Sequence, residues 1–257
     1  MKEILESTLI PFIGTAAGSA CVFFTKGVFS DKIKKGLSAF AAGIMTAASV
    51  WSLIIPALEQ SEELGRLAFL PCVGGIITGI AVLILIDRFI VCIKGKCRRE
   101  ICSEKKQTSM LLLAVIIHNI PEGMAAGAVY AAILTGSADI SAASALALVM
   151  GISIQNFPEG AIISLPLHSK GMSKCRAFLC GILSAVAEAL GALLTLAAAG
   201  LIVPVLPFML CFAAGAMLYV VVKELVPEFS CGSFQEVCIV VFSLGFSVMM
   251  ALDTALG

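Results

Sequence analysis

Charge is scarce in this chain. Asp, Glu, Lys and Arg make up 13% of its 257 residues, about half the share found in a soluble domain. The polar covering that keeps a globular surface in water is therefore missing. Seventeen basic residues against seventeen acidic ones give a net charge of zero, so no electrostatic footprint for nucleic acid exists. Aromatic and polar runs are few, with one Trp and two Tyr, which argues against a disordered or coiled-coil chain. No Walker-type nucleotide loop occurs, and His-Glu-x-x-His is absent. What abounds is apolar: 60% of the residues, with a mean hydropathy of +1.06. The composition is that of a polytopic membrane protein, and the question becomes what its rare polar residues do.

A membrane-crossing helix needs about 20 mostly apolar residues. Eight segments satisfy this, at about 4–26, 37–58, 67–91, 109–134, 142–167, 176–202, 207–227 and 235–256. The expected fold is all-α, with eight transmembrane helices. Connections are short, the longest polar one running from Lys94 to Thr108. The chain thus reads as one transmembrane domain over 1–257, with a cytoplasmic loop at about 92–108. Segment 1 is too long for a removable signal peptide and lacks a small-residue cleavage site.

Orientation follows from Lys and Arg. Lys26, Lys32, Lys34 and Lys35 follow span 1. Arg88, Lys94, Lys96, Arg98, Arg99, Lys105 and Lys106 lie at or after the end of span 3, and Lys170, Lys174 and Arg176 after span 5. These fourteen of the seventeen basic residues mark the odd-to-even connections as cytoplasmic. Both termini are then extracytoplasmic, in a multi-pass protein of the cell (plasma or inner) membrane.

Cys21, Cys72, Cys180, Cys211 and Cys238 fall in or at the ends of apolar spans, where they read as small hydrophobes. Cys92, Cys97 and Cys102 sit in the basic inner connection, where reduced thiols are expected; a soft-metal site there is the alternative. Span 2 begins Phe40-Ala41-Ala42-Gly43-Ile44-Met45, and span 7 contains Phe212-Ala213-Ala214-Gly215-Ala216-Met217. The two spans run in opposite directions. Helices 1–3 and 6–8 would then form an inverted repeat around a central helix 4/5 pair, an architecture of secondary transporters.

Span 4 carries His118-Asn119-Ile120-Pro121-Glu122-Gly123, and span 5 carries Gln155-Asn156-Phe157-Pro158-Glu159-Gly160. Each copy lies near the middle of its span, and span 6 adds Glu188. A charge at that depth costs roughly 2.5–3.5 kcal/mol even on the lenient insertion scale. Helical spacing puts His118, Asn119 and Glu122 on one arc, and Gln155, Asn156 and Glu159 on another. Pro121 and Pro158 free the carbonyls of Ile117 and Ile154. Gly123 and Gly127, and Gly160 and Ser164, are spaced for close helix approach, so spans 4 and 5 are expected to face each other around a shared cavity. Carboxylates, amides and one imidazole suit a divalent transition metal better than calcium or magnesium. The plainer reading is interhelical hydrogen bonding and a proline kink.

With these residues the chain resembles the ZIP (Zrt/Irt-like) family of metal transporters, and most of all its bacterial, GufA-type members. The likeness rests on His118–Gly123, Gln155–Gly160 and Glu188 within Ala187-Glu188-Ala189-Leu190-Gly191-Ala192. It extends to span 2 from Ala41 to Glu59 and to Lys223-Glu224-Leu225-Val226-Pro227-Glu228, and so covers essentially the whole chain. The resemblance implies a binuclear metal site. One ion would take His118, Glu122, Gln155, Glu159 and Met45; the second, Asn119, Glu122, Asn156, Glu159 and Glu188, with Glu122 and Glu159 bridging. Glu59 and Asp253 correspond to entrance carboxylates, and Glu224 to one at the exit. It further implies Zn²⁺ as transported substrate, with Cd²⁺, Fe²⁺ or Mn²⁺ as further candidates, no organic cofactor, a homodimer in the lipid bilayer, and alternating access.

Three departures stand out. Many members have His where Gln155 stands. Lys223 replaces a frequent histidine and places a fixed cation on the exit path. Ala189 replaces a common proline and should straighten span 6. Met45 reads equally as a packing residue, and Glu59 and Asp253 as ordinary helix ends. Three carboxylates around one or two divalent ions leave a charge imbalance, so transport is expected to be pH-sensitive. The competing readings are a cation/proton antiporter, and an intramembrane metalloenzyme, for which the required motif is missing.

Overall fold

The computed structural model describes residues 2–25, 30–97, 104–136, 140–230 and 234–256, side chains excluded at 2, 90–97 and 104–118. The described residues are almost entirely helical and contain no strand. We number the long helices α1 Lys2–Phe24, α2 Asp31–Glu59, α3 Phe69–Cys97, α4 Glu104–Thr135, α5 Ala142–Ser169, α6 Lys174–Ala197, α7 Ala199–Phe229 and α8 Gln235–Leu256. Among the described residues, stretches long and apolar enough to cross a membrane are found in seven of them, α1–α3 and α5–α8. α4 is 32 residues long and holds the first Pro-Glu motif. Helix α3 continues to Cys97 and α4 starts at Glu104, so the described parts of the expected loop at 92–108 are helical. Lys, Arg, Glu and Gln are good helix formers; their charge bars them from the bilayer without breaking the helix. Helix α6 runs unbroken past Ala189, as α4 and α5 do through Pro121 and Pro158.

Proline punctuates the two helices that carry the repeated Phe-Ala-Ala-Gly segment. α2 passes through a π-helical turn at Ser49–Ile54 before Pro56, and α7 through one at Val221–Leu225 before Pro227. A helical proline leaves the carbonyl four residues earlier without a donor and crowds it. A wider turn relieves that crowding. The freed carbonyls belong to Ser52 and Lys223.

The helices group into two bundles. In one, α1 packs along α5 and α4 along α6; in the other, α2 packs along α8 and α3 along α7. Glycines set these contacts. A methyl on Gly123 would collide with the backbone carbonyl of Glu188, and one on Gly160 with that of Thr15; likewise Gly79 meets Phe212 and Gly245 meets Phe40. Each contact thus recurs with its halves exchanged, which is the order an inverted repeat produces. The spacing Gly123/Gly127 was expected to press α4 onto α5. Instead it serves α6, through Glu188 and Ala192, while Gly160 serves α1. Alanine and glycine dominate the meeting faces, and dispersion between close backbones replaces the hydrophobic drive that lipid removes.

Candidate metal site

The two motifs project from mid-helix positions of α4 and α5 into the first bundle. Asn119, Glu122, Gln155, Asn156 and Glu188 are all buried, at most 4% exposed, and Glu159 is half-buried. Asn156 Nδ2 donates to Glu188 Oε2 at 2.7 Å and approaches the Pro11 carbonyl at 3.4 Å. Asn119 Nδ2 donates to Ser184 Oγ at 2.7 Å. Glu122 lies within electrostatic reach of Glu159 and Glu188, and Gln155 stands beside it. The sequence-derived residues with described side chains, Asn119, Glu122, Gln155, Asn156, Glu159 and Glu188, therefore converge.

Their polar atoms are under-used. Glu122 Oε2, Glu188 Oε1, Asn156 Oδ1 and both amide atoms of Gln155 are buried and close no hydrogen bond. Each orphaned polar atom costs about 1–3 kcal/mol, more for a charged group, and the low dielectric enlarges the repulsion between neighbouring carboxylates. A divalent cation removes both penalties at once. The donors are mainly oxygen, which admits harder ions; preference for zinc, iron or manganese depends on nitrogen from His118. Helix α4 carries His118, whose side chain lies outside the described residues. Among the described residues no group of three His, Cys, Asp or Glu side chains is placed to hold an ion by itself. Met45 is buried in the apolar core that also holds Ile44 and Met217.

Further polar residues sit at the two ends of the second bundle. Glu59 and Asp253 line one cavity of about 420 Å³ together with Trp51, Ser52 and Ser144. Ser52 Oγ donates to Asp253 Oδ1 at 2.7 Å. This is the end where the two chain termini lie. At the opposite end Glu224 lies half-buried in the π turn of α7. Its neighbour Lys223 forms an ion pair with Asp87 of α3, whose carboxylate also accepts from the Tyr219 hydroxyl. The Lys223 ammonium stands 5.1 Å over the Tyr219 ring. Cys92, Cys97 and Cys102 lie outside the described side chains. Sequence reading missed Ser184, Ser52, Asp87 and Tyr219 as partners of these groups. Only Asp87 gave a signal, as an acid inside an apolar span.

A family model described as ZIP Zinc transporter matches residues 98–253. Zinc transporter ZIP11 of Xenopus tropicalis is 34% identical, over 99% of this chain and 97% of its own. Zinc transporter ZIPB of Bordetella bronchiseptica is 32% identical, over 96% of this chain and 79% of its own. Zinc transporter GufA of Myxococcus xanthus is 34% identical, over 58% of this chain and 56% of its own. With the paired motifs, the all-helical fold and a likeness that runs its full length, this chain belongs to the ZIP family of metal transporters, which are carriers and not enzymes.

Proposed function

We propose that the protein carries Zn²⁺ across the cell membrane into the cytoplasm, with Cd²⁺, Fe²⁺ and Mn²⁺ as further substrates. The observation that carries this reading is the set of unpartnered carboxylate and amide atoms between α4, α5 and α6. The names of the relatives support zinc as cargo. One ion is held by His118, Glu122, Gln155, Glu159 and Met45, the other by Asn119, Glu122, Asn156, Glu159 and Glu188. The ions draw no energy from nucleotide, because the sequence has no loop to bind it; they move down their own gradient or with protons.

Eight spans with both termini extracytoplasmic put the Glu59 and Asp253 cavity at the entrance, where its carboxylates attract cations. Glu224 marks the exit. Alternating access is a displacement of the α1–α4–α5–α6 bundle, which carries the site, against the α2–α3–α7–α8 bundle. Their division in the packing supports this. The unit is a homodimer in the lipid bilayer. In proteoliposomes, Glu122→Ala and Glu159→Ala are each expected to lower zinc uptake at least tenfold, on the order of the loss when a metal's supporting residues are removed. Wild-type uptake by both variants would defeat the proposal.

A further inference from the structure

We propose that Thr15 of α1 is a further residue of the metal site, offering a neutral hydroxyl oxygen where the other half of the molecule offers the carboxylate of Glu188. The inference rests on the reading of the site as a metal pathway. The equivalence of the two positions comes from contacts. Gly123, next after the first motif's glutamate, packs on the carbonyl of Glu188; Gly160, next after the second's, packs on the carbonyl of Thr15. Gly191 packs on the carbonyl of Ile120, and Gly18 on that of Phe157. One helical turn earlier, Ser184 receives the amide of Asn119 and Pro11 that of Asn156. Pro11, Thr15 and Gly18 therefore correspond to Ser184, Glu188 and Gly191. The sequences agree in part, Gly14-Thr15-Ala16-Ala17-Gly18 against Ala187-Glu188-Ala189-Leu190-Gly191. Pro11 and Thr15 are one turn apart, so Thr15 stands on the face of α1 that meets the second motif.

The hydroxyl itself is the second observation. Thr15 is wholly buried, and its Oγ1 has no hydrogen-bond partner. A helical threonine ordinarily returns its proton to a carbonyl one turn back. The other seven threonines with described side chains all do so: Thr8, Thr25, Thr46, Thr78, Thr135, Thr195 and Thr254. At Thr15 the carbonyl one turn back is that of Pro11, which faces Asn156. An unsatisfied hydroxyl among apolar helices is unfavourable; a cation, or a water bound to one, engages its free lone pairs. The substitution also sets the charge. A carboxylate at both positions would surround the ions with four anions. A hydroxyl keeps an oxygen at the second position and leaves three, so the ions are held less tightly and leave sooner.

The purified protein in detergent tests this by equilibrium binding of Mn²⁺, Zn²⁺ and Cd²⁺ to wild type, Thr15→Val, Thr15→Ser and Glu122→Gln. Valine copies the shape of threonine without its oxygen. It is expected to weaken Mn²⁺ roughly threefold to tenfold, the size of one lost hydrogen-bond-like contact. Cd²⁺, which prefers softer donors, should change least, and Thr15→Ser should bind as wild type. Unchanged affinity for all three ions in Thr15→Val, with binding lost in Glu122→Gln, would overturn the role of Thr15 and leave the site intact. An equal loss for all ions that serine does not restore would assign Thr15 to packing. Wild-type binding by Glu122→Gln would remove the site, and this inference with it.

Discussion

Gln155 shows how much one side chain decides. It is buried beside Glu122, the group its side chain acts on, and neither amide atom reaches full hydrogen-bond geometry with a partner. An amide offers an oxygen to an ion but no charge and no soft nitrogen. Gln155→His would make the second motif a copy of the first and add an imidazole, which favours zinc over manganese. We expect zinc affinity to rise about tenfold, the lower end of effects seen for residues around metal sites, and manganese affinity to change little. Competition binding measures the ratio, and an unaltered zinc-to-manganese preference would speak against Gln155 as a ligand. This residue was legible in the sequence because Pro-Glu-Gly stands out in an apolar span and occurs twice. Ser184 was not. A lone serine in an apolar helix acquires meaning only when the neighbouring helix brings Asn119 to it.

At the scale of the helix, spacing was readable and partnership was not. Gly123 and Gly127 announce a face for close approach, yet nothing in α4 says which helix will use it. The expectation of α5 came from adjacency in the chain. The structure gives that face to α6, and the matching face of α5 to α1. The polar side chains converge because both motif helices lean on partners that bond to them, Ser184 and Glu188 of α6 and Pro11 of α1. Gly123→Ala drives a methyl into the Glu188 backbone, and overpacking of this kind costs about 1–3 kcal/mol. It should lower the melting temperature in detergent and displace Glu188, weakening zinc binding. Gly200→Ala meets nothing within 4 Å and should leave both unchanged. Equal melting of the two variants would contradict the close α4–α6 contact. The π turns were invisible beforehand, since the prolines at 56 and 227 signal a disturbed helix but not its form.

For the whole molecule, the balanced total of charges conceals an asymmetry between its two ends. Ser52 and Lys223 stand in equivalent corners, each four residues before the proline that follows its π turn. Each meets an Asp on its neighbouring helix, Asp253 on α8 and Asp87 on α3. At the end bearing the termini the partner is a neutral hydroxyl, and Asp253 lines the cavity beside Glu59. At the opposite end an ammonium cancels Asp87. The positive charges along the connections lead us to expect a cytoplasmic end, whereas the pairing of Lys223 was not legible because it depends on the packing of α3 against α7. On the proposed pathway this arrangement would draw cations to the Glu59 and Asp253 cavity, while at the other end Lys223 offsets Asp87. Lys223→Ser transfers the first corner to the second and takes the ammonium away from Asp87. We expect one additional divalent ion bound per chain, measured by elemental analysis after equilibrium with zinc. Because that ion delays release, the initial rate of zinc uptake into proteoliposomes should fall severalfold, on the scale of roughly 1 kcal/mol for an ionic contact near the surface. Lys223→Arg keeps the charge and should retain the wild-type stoichiometry. A serine variant with unchanged metal content and unchanged rate would show that Lys223 only fastens α7 to α3.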